Sequence, residues 1–178
     1  NKKLIIFLFS LIDKNIAYKL SIMAIGIFAS CLQTDDTTNS NTNVKTDKQI
    51  ATSLKVPEFN EDTAYSYIKK QLEFGPRVPG TLQHRSCGIY LKEKLEKFSD
   101  NIILQETDVK LFDGSFVPML NIICEFNLNA AKRIMLCAHW DTRPFADQDS
   151  IDRDQPIDGA NDGASGVAVL LEIARQLK

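Results

Sequence analysis

The sequence predicts an α/β domain, a three-layer α/β/α sandwich on a mixed sheet. Three observations carry that prediction. Apolar residues recur at helical spacing in separate stretches. Two alternating segments flank Asp113-Gly114, a strong hairpin signal. An unbroken apolar run, Ile134-Met135-Leu136-Cys137-Ala138, is followed further on by a helix with one apolar face. Helices, then an antiparallel pair, then a strand and a helix are the order such layers need.

The elements follow in chain order. Ala64, Tyr67, Ile68, Gln71 and Leu72 place a helix ahead of Phe74. Leu82 to Phe98 reads as a second helix, with Ile89, Leu91, Leu95 and Phe98 as its apolar positions and Lys92, Lys94 and Lys97 as a solvated face. Ile102 to Leu111 and Phe116 to Phe126 alternate and pair around the Asp-Gly turn. The run 134–138 has no polar alternation, so it is expected to be a strand buried on both faces, in a parallel sheet covered by helices. From Gly166, residues Val167, Leu170, Leu171, Ala174 and Leu177 give the apolar stripe of a last helix.

Composition bounds the rest. With 178 residues, 44% hydrophobic and a net charge of -2, the chain can bury one core and carries no excess charge to draw nucleic acid. Four cysteines occur without metal-ligand spacing, and Cys87, Cys124 and Cys137 are expected to be buried thiols. The acidic stretch from Asp147 to Asp158 lacks the glycine and terminal Glu of a calcium loop, so it is expected to be a solvated loop.

Three regions are expected. Residues 1–31 read as a signal region: Lys19 precedes the apolar run Leu20 to Ser30, and Phe28-Ala29-Ser30-Cys31 resembles a bacterial lipobox whose Cys31 is lipidated. The run is too short for a membrane span. The earlier segment Leu4 to Ile12 fits no part of that anatomy, and residues before about Ala17 are read as translated upstream sequence or a remnant of an incomplete reading frame. Residues 32–55, rich in Thr, Asn, Asp, Ser and Lys, are expected to be a disordered tether, because so few apolar groups cannot offset chain entropy. Residues 56–178 hold the folded domain. The expected location is the bacterial cell envelope, with a lipid anchor holding the domain at the membrane.

The chemistry concentrates in Ala138-His139-Trp140-Asp141-Thr142 and, about twenty residues on, Gly159-Ala160-Asn161-Asp162-Gly163-Ala164-Ser165-Gly166. His139 and Asp141 fall at the carboxyl end of the predicted strand, where open α/β sheets collect ligands. Asp162 sits at the start of the last helix among glycines and alanines that let backbone approach an ion or substrate. Each has an ordinary explanation: Asp162 as a helix cap, His139 as a satisfied histidine, Asp141 as a loop acid. Together they make a His-x-Asp whose acid can orient the imidazole, beside a further carboxylate. That is half of a zinc site, since catalytic zinc takes three protein ligands and keeps one position open.

His139-Trp140-Asp141-Thr142, Gly159-Ala160-Asn161-Asp162 and the helix Val169 to Arg175 resemble the zinc-dependent exopeptidases related to bacterial leucyl aminopeptidase. Within that group the extended form Ala138 to Pro144 is similar to the glutaminyl-peptide cyclotransferases of the animal type, and to their bacterial relatives in particular. Phe74-Gly75-Pro76-Arg77-Val78-Pro79-Gly80-Thr81, with His84 following, also matches the group. The resemblance covers roughly Asp62 to Lys178.

The resemblance implies that Asp162 is a zinc ligand and that its peptide bond to Gly163 is cis. In a cyclotransferase one zinc is expected, with His139 and Asp141 in the surroundings of the metal and Trp140 lining the pocket or packing beneath it. In a two-zinc aminopeptidase His139 binds metal directly. A Glu-Glu or Glu-Asp pair and a late histidine complete the family pattern and are expected beyond residue 178, so the chain reads as the N-terminal part of the domain, with weak zinc binding and no turnover by itself. The expected activity is conversion of an N-terminal glutamine of peptides or proteins to pyroglutamate with release of ammonia. The alternatives are a metallopeptidase of the same family and a non-catalytic envelope lipoprotein fragment.

Overall fold

The computed structural model describes residues 2–9, 56–99, 101–111 and 113–178. The elements are β1 (Lys2–Phe9), α1 (Glu61–Leu72), α2 (Leu82–Glu96), β2 (Asn101–Lys110), β3 (Phe116–Phe126), β4 (Lys132–His139) and α3 (Gly166–Leu177). A single π-type turn, Ala160–Ser165, leads into α3. Both expected early helices start on side-chain caps. Asn60 accepts from the Thr63 N–H at 2.7 Å, and Thr81 accepts from the His84 N–H at 3.2 Å.

The strands form one mixed sheet in the order β2-β3-β1-β4. β2 and β3 are the expected antiparallel hairpin, with Ile103 opposite Ile123. β1 runs antiparallel to β3 and parallel to β4, pairing Ile6 with Cys124 on one side and with Leu136 on the other. The α/β class and the mixed sheet are as read from the sequence. β1 is not expected from the sequence, in which 1–31 reads as a signal region and Leu4 to Ile12 fits no part of it, yet Lys2–Phe9 is an inner strand. The expected lipobox with Cys31, and the tether 32–55, lie outside the described residues.

The side-chain period of two decides which strand residues reach the core. Ile6 and Leu8 of β1, Ile122, Cys124 and Phe126 of β3, and Leu136 and Ala138 of β4 meet Leu91 and Leu95 of α2 and Val167, Leu170, Leu171 and Ala174 of α3. One expectation fails here. The run 134–138 is not buried on both faces: Ile134 is 40% and Met135 38% exposed, and Cys137 is exposed. Among the described residues β4 lies at the sheet's edge, and only its Leu136–Ala138 face is covered by helix. Cys87 and Cys124 are buried as expected, and burial pushes both thiols up to about 12. No helix among the described residues is long and apolar enough to cross a membrane.

Candidate active site

The site forms where β4 ends. His139 is its last residue. Trp140 then turns inward and is completely buried, its ring stacked on His84 with centroids 4.1 Å apart and planes 14° from parallel. Gly88 of α2 makes that possible, because a Cβ there would come within 2.9 Å of the indole. Trp140 is thus a packing residue at this corner; it also borders a cavity of about 580 Å³ between the start of α2 and the β2–β3 hairpin, which His139, Asp141 and Asp162 do not line. Burial takes the His84 imidazole down to about 4, so it is neutral at physiological pH.

With Trp140 turned in, His139 and Asp141 face the other way. The imidazole Nε2 lies 2.9 Å from Asp162 Oδ1, and Nδ1 lies 3.1 Å from the Asp141 backbone carbonyl. The Asp141 carboxylate is further off, at 3.8 Å. The Asp141 carbonyl is thus the nearer contact of the imidazole, with the carboxylate of the same residue at ion-pair distance beyond it. Burial raises the Asp141 carboxyl to about 6, with His139 and Arg77 pulling the other way and Asp162 adding to the rise.

Asp162 reaches this point through local backbone geometry. Gly159 opens the turn in the left-handed region at φ 63°, and Asp162 itself is non-helical at φ -105°, ψ 86° inside the turn. The Asp162–Gly163 peptide is cis, as the resemblance implied. Gly163 is packed directly on His139: a Cβ there would lie 2.7 and 2.8 Å from two atoms of the imidazole. His139 and Asp162, separated by 23 positions in number, are thereby brought within hydrogen-bond distance.

Arg77, quoted from the sequence only as part of a motif, is fully buried beneath this site. Its Nε donates to the Trp140 carbonyl at 3.0 Å, and its terminal nitrogens donate to the carbonyls of Asp158 and Gly159, both at 2.9 Å. Its own carbonyl accepts from the Thr142 N–H at 3.1 Å. The sequence held no sign of these bonds, because backbone carbonyls carry no residue identity.

The donor set fits a divalent cation. Each imidazole nitrogen faces an oxygen, Nδ1 the Asp141 carbonyl and Nε2 the Asp162 carboxylate. A ring nitrogen and a carboxylate oxygen this close hold either a proton or a metal between them. Donors about 2 Å from one zinc sit roughly 3 Å apart, which is the spacing found. Among the described residues no group of three or more His, Cys, Asp or Glu side chains is placed to hold a metal.

The mixed sheet with its helices is an α/β domain of the zinc-exopeptidase-like fold class. Residues 121–178 match the model of Peptidase family M28. The chain is similar to the crystal structure of the Bacteroides thetaiotaomicron glutaminyl cyclase bound to N-acetylhistamine, at 52% identity and TM-score 0.65 over 67% of this chain and 42% of that one. It is similar to the Tannerella forsythia glutaminyl cyclase at 45% identity and TM-score 0.66, over 67% and 42% of the two chains. A Zn-dependent exopeptidase from Parabacteroides distasonis matches at 47% identity and TM-score 0.66, over 68% and 42%. No curated protein sequence matches. The resemblance read from the motifs, to bacterial glutaminyl cyclases within the zinc-dependent exopeptidases, therefore holds across the described domain, and the chain spans about 42% of the length of those solved structures.

Proposed function

We propose that this chain carries part of the active site of a zinc-dependent glutaminyl-peptide cyclotransferase. The observation that supports this most is the pairing of His139 Nε2 with Asp162 Oδ1 at the end of β4, in a chain so similar to proteins named glutaminyl cyclase. Asp162 would hold the metal. His139, locked by the Asp141 carbonyl and seated on Gly163, would orient the Asp162 carboxylate. Trp140 anchors the turn from inside the core. Zinc, when bound, supplies Lewis-acid polarisation of the substrate γ-carbonyl. Moving a proton from the attacking amine to the leaving amide nitrogen needs a general acid–base group, which the resemblance puts beyond residue 178.

A second reading, a two-zinc aminopeptidase, is favoured by the same 2.9 Å spacing, which suits two donors on one ion, and by the similarity to a Zn-dependent exopeptidase. One experiment separates the two. A polypeptide of the solved relatives' length, carrying this chain, is incubated with peptides that begin with glutamine. The cyclotransferase reading expects loss of one ammonia per peptide with the chain uncut, one zinc per protein, and an unchanged zinc count in His139→Ala. Release of free amino acids, two zincs and loss of one on that substitution would reject it for the peptidase.

We also propose that Cys31 is a lipid-modified residue placing the protein, and its peptide substrates, in the cell envelope. Cys31→Ser should abolish palmitate labelling and free the protein from the membrane fraction; unchanged fractionation would refute the anchor.

A further inference from the structure

Arg77 is a buried cation whose side-chain partners among the described residues are all backbone carbonyls: Trp140, Gln71, Gly75, Asp158 and Gly159. A desolvated guanidinium that hydrogen-bonds no carboxylate is expensive to keep even with the charges of Asp158 and Asp141 nearby, so its presence calls for a geometric reason. The carbonyls supply one. Trp140 lies between His139 and Asp141. Gly159 lies three residues ahead of Asp162, and its carbonyl also accepts the Ala164 N–H at 3.2 Å, the bond that closes the turn around Asp162. Arg77 also binds the far side of the strand end through its own carbonyl and Thr142. No room is spare: a Cβ on Gly159 would lie 2.9 Å from Arg77 Nη2.

We infer that Arg77 is the positioning residue that sets the separation of His139 and Asp162, one planar fork gripping the loop after β4 and the turn before α3 at once. The inference rests on reading those two residues as the site, and gives the Phe74–Thr81 motif its task. A lysine cannot replace it. A point-like ammonium could hold one loop, whereas the rigid donor fork spans both.

The test uses the 178-residue chain without metal and follows its imidazole nitrogens by NMR. The chain has two histidines, so His139→Ala assigns both. Asp162→Asn supplies the His139 signal expected once the contact is lost. Arg77→Lys, with charge retained, should move the His139 signal most of the way to that position while the amide signals of the β2–β3 hairpin stay in place. A folded Arg77→Lys with an unmoved His139 signal would overturn the inference. Should that variant not fold, the unmodified chain decides: its Arg77 Nε–H should be protected from exchange, with nuclear Overhauser contacts to Trp140 and Gly159, and a rapidly exchanging Nε–H lacking them would overturn it equally. Zinc is added only afterwards. A His139 signal indifferent to zinc would count against the metal reading and leave the Arg77 result standing.

Discussion

Gly163 shows how far single residues govern this site. Its missing side chain lets the turn before α3 lie against the imidazole of His139. Gly163→Ala should therefore push His139 and Asp162 apart and weaken zinc binding by about 10–100-fold, the range seen when groups that orient a ligand are altered. A chelator competition assay reads this directly, and an affinity equal to that of the unmodified protein would refute the packing argument. At this scale the sequence was partly legible. His139 and Asp162 stand out because their chemistry needs those residue types beside small neighbours. The contact of the Asp141 carbonyl with Nδ1, closer than that of its carboxylate, is not legible, because it depends on the turn at Trp140. Arg77 could be quoted but not interpreted: three of its partners are carbonyls 63 to 82 positions away.

Between elements, Glu172 joins α3 to α1. Its side chain is completely buried, receives two bonds from Arg175 at 2.7 and 2.8 Å and one from Gln176 at 2.8 Å, and accepts the Asn60 N–H at the start of α1 at 3.0 Å. Arg175 above all holds the carboxyl down at about 2, against the opposing effect of burial. A depressed acid contributes stability that is full above its unfolded pKa, about 4.3, and that is lost as pH falls through about 2. Glu172→Gln should cost about 1–3 kcal/mol at pH 7, and thermal unfolding should show that gap closing below pH 4. A gap of equal size at pH 2 and pH 7 would contradict it. The helices themselves were readable from spacing and caps. The environment of β4 was not: an apolar run reports that a strand can be buried, whereas burial depends on which neighbours lie beside it, and among the described residues β4 is at the edge.

At the scale of the whole molecule, β1 and the proposed processing at Cys31 bear on each other. Cleavage ahead of Cys31 would remove Lys2–Phe9, the strand that joins β3 to β4. A processed protein would then need another strand in that place, because unpaired backbone along β3 and β4 is a template for other chains. The sequence could not show this, since pairing between residues 2–9 and 132–139 leaves no local pattern. The fold brings the end of β4 and the start of α3 together, and what that junction binds decides its role. The most direct measurement is calorimetric titration of zinc into the 178-residue chain, its Asp162→Ala variant and its His139→Ala variant. Weak binding that falls at least tenfold in Asp162→Ala is the predicted result. Zinc binding of unchanged strength in a folded Asp162→Ala would contradict the assignment of this junction as a metal site.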